Sequence, residues 1–309
     1  YAGTLSLVAD SLQARPVEFG VLNLMPADPL KQASKGAIGA LVIEPAGSSW
    51  GADDRASTTI ITPTGRFREH VLFFQTDLNL RFGSNTSLSL GNGSARTYAS
   101  GAAVPNLHGF EDPEDSGQKG FNYRTEPMWF RKGYSPETPL DVTRGFNFAG
   151  SLLNTQVGAD PQTPVFTSPA GGQVRFRIVE PGGHARNSVF NLHGHIWEEL
   201  PYVNNSARLG ANPFSEWKGT MIGHGPTNHF DILIKHGAGG RGSIQGDYLY
   251  RDQTSHHFDS GMWGIFRVGT TDPLFGSTSS LSPAQPEGAS TASACVVDPQ
   301  TGATTCPEK

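Results

Sequence analysis

No cysteine precedes Cys295 in this chain of 309 residues, and the second and last is Cys306. Chemistry that needs a thiolate inside a folded body has nothing to use before the tail. Basic charge is also scarce. Lys and Arg number 23 against 28 Asp and Glu, a net charge of -5, so no positive field exists to hold a nucleic acid. No apolar run approaches the roughly 20 residues of a membrane span. No long stretch repeats apolar residues at i, i+3, i+4 and i+7, which excludes a helical bundle. The glycine pairs at 182–183 and 239–240 have no Lys-Ser/Thr behind them, so neither is a phosphate loop. There is no serine nucleophile elbow and no carboxylate pair in a glycosidase-like setting.

What is present is turn chemistry and short apolar runs. Gly 38 and Pro 22 are heavy for a helical protein. Runs rich in Val, Ile, Phe and Tyr lie at Gly39 to Ile43, Val71 to Phe74, Val174 to Val179, Phe230 to Ile234 and Ile265 to Val268. Gly, Pro, Asn and Asp bound them, which predicts an all-β protein built of sandwiches. The stretch Glu18 to Gln32 reads as loop. Residues 270–309, rich in Ser, Thr, Ala, Pro and Gly, bury too little to fold alone. The spacing of Cys295 and Cys306 suits a local disulfide in an oxidising compartment, with two free thiols as the other reading. The chain opens at Tyr1 with neither Met nor a signal-like segment, so a processed or truncated product is expected.

Histidines fall in close groups: His193/His195, His224/His229 and His256/His257. Residues i and i+2 of a strand face one side, so His193 and His195 are expected to point the same way. With His257 they are the candidate ligands of a mononuclear copper or zinc site, assisted by His224 or His256. The other reading is that they hydrogen-bond to carbonyls and fill a pocket. Glu111, Asp112, Glu114 and Asp115 make an acidic loop that either binds a hard cation or is simply solvated. Trp129, Trp197, Trp217 and Trp263 are expected to pack in the core or an interface.

Several phrases resemble the multicopper oxidases. Gly246-Asp-Tyr-Leu-Tyr-Arg-Asp-Gln-Thr-Ser-His-His-Phe-Asp-Ser-Gly-Met-Trp-Gly-Ile-Phe-Arg-Val268 has the shape of that family's last copper-binding segment. Gly171-Gly-Gln-Val-Arg-Phe-Arg-Ile-Val179 resembles the strand before its first histidine cluster, and Ser188-Val-Phe-Asn-Leu-His-Gly-His-Ile-Trp197 resembles the cluster itself. Lys35-Gly-Ala-Ile-Gly-Ala-Leu-Val-Ile-Glu-Pro45 is similar to the strand that closes a first cupredoxin domain. Asn23-Leu-Met-Pro-Ala-Asp-Pro29 and Asn122-Tyr-Arg-Thr-Glu-Pro127 resemble large multi-domain bacterial members, a group that includes manganese oxidases.

The resemblance implies a cupredoxin-like Greek-key β-sandwich, with one complete domain plus the closing part of a preceding one. Residues 1–46 would be the end of an incomplete cupredoxin domain, 47–64 a linker, 65–270 the complete domain with long insertions, and 271–309 the tail. Where the family carries His-Cys-His, this chain has Arg251-Asp252-Gln253. Ser188 stands for the first histidine of the cluster and Asn191 for the second, while His193, His257 and Met262 keep ligand positions. No type-1 copper is therefore expected in this chain. A trinuclear cluster takes four His-X-His pairs in that family, and this chain offers one.

The resemblance thus implies a copper-depleted, C-terminal cupredoxin region of a secreted (extracellular or periplasmic) oxidase, inactive alone. Other domains or another chain would oxidise metal ions or small donors with O2 and complete residues 1–46. The alternatives are a non-catalytic structural subunit, joined to copies of itself, and a copper-handling protein.

Overall fold

In a computed structural model of the chain, the residues described are 3–16, 20–28, 32–33, 36–51, 56–76, 119–134, 152, 160–182, 187–221, 223–269, 296–297 and 304–305. The acidic loop 111–115 and both cysteines lie outside them. The strands are β1 (Gly3–Val8), β2 (Ser11–Pro16), β3 (Val21–Leu24), β4 (Gly39–Val42), β5 (Ser49–Trp50), β6 (Ser57–Thr62), β7 (Gly65–Gln75) and β8 (Gly120–Phe121). A short helix α1 (Met128–Lys132) follows. Then come β9 (Val165–Pro169), β10 (Val174–Val179), β11 (Phe190–Leu192), β12 (Trp197–Glu198), β13 (Trp217–Lys218), β14 (His229–Leu233) and β15 (Gly246–Asp252). A second short helix, α2 (Ser255–Asp259), precedes β16 (Trp263–Gly269).

Two sheets make the body. One runs β14-β10-β7-β6-β5, with β8 on β7; the other runs β11-β15-β16-β9. Most neighbours are antiparallel, but β7 and β10 pair parallel, as do β9 and β16. Strands far apart in sequence thus meet inside each sheet, the mark of a Greek-key sandwich rather than a meander. The all-β sandwich expectation holds.

The core follows from period-two patterning. In β10, Val174, Phe176 and Ile178 turn inward to meet Leu72 and Phe74 of β7 and Phe266 and Val268 of β16. Phe190, Trp197 and Tyr250 complete the layer. A satellite cluster of Met128, Phe258, Trp263 and Ile265 seats both helices on the back of β16. Helix α1 follows Pro127, which cannot donate to a preceding turn, and stops at Gly133 in the left-handed region at φ 79°. Trp129, Trp197 and Trp263 are buried, and the half-buried Trp217 lies under the Lys235 ammonium at 3.7 Å.

The alternate residues of β10 point away from the core, yet Arg177 is fully buried. β3 and Glu44 cover it: β3 pairs with β4 and packs on β10 and β14. The Arg177 guanidinium donates to Glu69 at 2.8 Å, to Asp231 at 2.8 Å and to Glu44. Asp231 also accepts the Val21 N–H at 3.2 Å. Gly20 is required beside it, since a Cβ there would lie 1.9 Å from an Asp231 carboxylate oxygen. Burial alone would push the Arg177 proton off, but the charges of Asp231, Glu44 and Glu69 prevail and raise its pKa. Glu44 is pushed up to about 8, chiefly by burial.

The chain divides into two units, residues 1–276 and 277–309. In the second, β17 (Val296–Val297) and β18 (Thr304–Thr305) form a two-stranded antiparallel ladder. No helix among the described residues is long and apolar enough to cross a membrane.

Candidate functional site

β11 and β15 run side by side and end together, pairing Phe190 with Asp252. This places Ser188 and Val189 beside Asp252, and α2 then folds His257 back over the strand end. Asp252 is fully buried. Its Oδ1 accepts the Val189 N–H at 2.9 Å and the Thr254 N–H at 3.0 Å, and its Oδ2 pairs with His257 Nδ1 at 2.7 Å. The Asp252 N–H donates to the Met262 carbonyl at 3.0 Å, and the Met262 N–H to the His257 carbonyl at 2.9 Å. Asp252, His257 and Met262, three positions that resemble copper-ligand sites, are thus joined by one local network, and the fourth, Ser188, adjoins it through its neighbour Val189.

Two further buried groups extend it. Ser188 and His224 exchange backbone hydrogen bonds at 2.7 and 2.9 Å. The His224 Nε2 lies 3.5 Å from Oε2 of Glu180, whose side chain has no exposed surface. Burial pushes the Glu180 carboxyl up to about 9; the Asp252 charge adds to this and the Ser188 hydroxyl opposes it. Burial would raise Asp252 as well, but the His257 hydrogen bond and charge, with the Thr254 and Val189 N–H groups, hold it below the usual carboxylate range. At neutral pH the pair is therefore one carboxylic acid and one carboxylate.

The three candidate metal ligands occupy different surroundings. Strand β11 ends at Leu192, and Gly194 takes φ 73°, so the alternation expected of His193 and His195 is broken. His193 is exposed while His195 is buried against Tyr248 and Phe266. The Nδ1 of His195 donates to the His193 carbonyl at 2.9 Å, and its Nε2 accepts the Gly239 N–H at 3.0 Å. Both ring nitrogens are committed, and burial lowers its pKa. His257 belongs to the Asp252 network. Among the described residues no group of three or more His, Cys, Asp or Glu is arranged to hold a metal ion.

The donor set does not fit a type-1 copper. That centre takes a thiolate, two imidazoles and a weak axial ligand. Here a carboxylate saturated by two N–H groups and an imidazole stands at the thiolate position, and a serine at the first imidazole. Glu180 and the Arg177 cluster were not singled out in the sequence. Glu180 lies just after β10 and before Pro181, and nothing local marks it as buried.

Neither a protein-family model nor a curated protein sequence matches the chain. Solved structures are similar in part. A copper nitrite reductase from Nitrosomonas europaea is 16% identical over 90% of this chain and 75% of that one, with a TM-score of 0.41. A multicopper oxidase from Campylobacter jejuni, a metallo-oxidase, is 12% identical over 83% of this chain and 42% of that one, at 0.34. The blue copper oxidase of Nitrosomonas europaea is 18% identical over 35% of this chain and 31% of that one, at 0.27. The chain thus spans under half the length of the two oxidases. Its fold stands on its own strand order and register.

Proposed function

We propose that this chain is a copper-depleted cupredoxin-type region of a multicopper-oxidase-like protein of the extracellular or periplasmic space. In this reading other domains, or another chain completing residues 1–46, carry the one-electron oxidation of metal ions or small donors with O2. The observation that supports it is the Asp252 network. Asp252, Ser188, His257 and Met262 stand at positions that resemble copper ligands, and the Asp252 carboxylate among them is taken up by the Val189 and Thr254 N–H groups and by His257. The manganese-oxidase flavour and the tail disulfide are parts of the same proposal.

Elemental analysis with visible and EPR spectra tests it. The purified chain is expected to be colourless and free of stoichiometric copper. Rebuilding the donor set with Ser188→His and Asp252→Cys together is expected to produce intense visible absorption on Cu(II) addition, with neither single variant doing so. A blue wild-type chain would sink the reading.

A second reading, a non-catalytic subunit that assembles through residues 3–43, has one observation in its favour. Leu7, Leu12, Leu24, Leu41 and Ile43 are all exposed there. Light scattering separates the two: concentration-dependent growth of the pure chain favours the subunit, and a monomer that co-purifies with a copper protein favours the oxidase region.

A further inference from the structure

A cavity of about 500 Å3 opens between residues 199–203 and 221–231. Its size lies within the range of small-molecule sites. The walls are mostly apolar: Leu200 and Val203 at the exposed mouth, Phe230 and Tyr202 at the sides, Met221 at the floor. Met221 is held from beneath by the Trp197 Nε1–H, 3.0 Å from its sulfur. The polar group of the floor is His224, 5% exposed, its ring wedged edge-on between Phe74 at 4.7 Å and Phe230 at 5.0 Å. Behind it lies the buried Glu180.

The lining carboxylates are already neutralised. Asp231 is bound by Arg177 and Glu199 by Lys218 at 2.7 Å. Neither is available to a cationic ligand, and the described lining residues include no Lys or Arg to meet an anionic one. An ion entering here would lose its hydration for an apolar wall, which costs more than one hydrogen bond returns. A hydroxyl suits His224 in either tautomer, since it both donates and accepts.

We infer that this cavity is a binding site for a small uncharged organic molecule, with a hydrocarbon body against Met221 and Phe230 and one hydroxyl at His224. The site is independent of whether the chain belongs to an oxidase.

The test is methyl NMR on the full chain labelled at its four methionines, Met25, Met128, Met221 and Met262. Benzyl alcohol is expected to shift Met221 saturably and leave Met128 and Met262 in place. Toluene should bind several-fold more weakly, and benzoate and benzylammonium more than tenfold more weakly. Val203→Trp, at the exposed mouth, should abolish the Met221 shift, while Ile61→Trp, on an exposed strand position elsewhere, should keep it. Unmoved Met128 and Met262 signals certify that each variant is folded. No saturable Met221 shift up to the solubility limit overturns the site. So does unchanged binding in Val203→Trp, and so does equal affinity for toluene or the ions.

Discussion

Two buried charged clusters lie at opposite faces of β10, and they differ in completeness. On one face each guanidinium nitrogen of Arg177 meets a carboxylate from a different part of the chain, Glu44, Glu69 or Asp231. At the strand end, the Glu180 carboxyl meets His224 only at 3.5 Å, and the Nε2 of His257 has no hydrogen-bond partner among the described residues. Arg177 is met on every guanidinium nitrogen and acts as a staple, although Glu44 Oε2 has no hydrogen-bond partner among the described residues; a cluster with more unsatisfied atoms keeps the capacity to take up a proton or a ligand. The first cluster therefore holds β3 and Glu44 to the sandwich, and the second leaves more of its buried polar atoms without hydrogen-bond partners among the described residues.

Breaking the staple has the largest expected effect. Arg177→Ala leaves Glu69 and Asp231 buried without their counter-charge, and a loss of about 3–5 kcal/mol is expected in urea unfolding. Limited proteolysis should then cut within residues 20–44 first. Gly20→Ala strikes the same staple from outside. Its methyl would displace the Asp231 carboxylate, at a cost of about 1–3 kcal/mol for an overpacked site.

The unsatisfied cluster should be revealed by pH. Glu180 has a folded pKa of about 9 against an ordinary value of 4.5, so the folded state holds a proton the unfolded state has lost. Its stabilisation is complete below the unfolded value and declines as pH rises to the folded one. The slope is about 1.4 kcal/mol per pH unit between these limits. Glu180→Gln should flatten that slope, and the difference between the two pH profiles isolates this group from the histidines. Identical profiles would contradict the raised pKa.

The smallest effect is expected at the surface. Arg267 pairs with Asp160 at 2.7 Å and Asp247 at 2.8 Å, but its side chain is 38% exposed. Arg267→Ala should cost about 0.2–1 kcal/mol, less at high salt.

The sequence revealed β4, β7, β10, β14 and β16, each an apolar run bounded by turn residues. It hid β3, whose four residues stand in a stretch read as loop because Pro, Met and Asp surround them. Only pairing with β4 and cover over Arg177 make it a strand. The gathering of Ser188, Asp252, His257 and Met262 was legible because the phrases around them resemble a known frame. The shared orientation of His193 and His195 was not, since strand alternation presumes the backbone continues, and Gly194 turns it. Nothing local to Arg177 marks it as buried. Its partners are 54, 108 and 133 residues away, and only strand register brings them near.

Those separations also set an order of events. The segment of β3 and β4 leaves the ribosome well before the arginine at 177 and the carboxylate at 231 that fasten it. Closing such distant contacts is slow, because loop entropy is spent before any contact rewards it. Until those residues arrive, the nascent chain carries Leu22, Leu24, Leu41 and Ile43 on a segment with nothing to fasten to. A holdase chaperone, or export before folding, protects a nascent chain of this kind from aggregation.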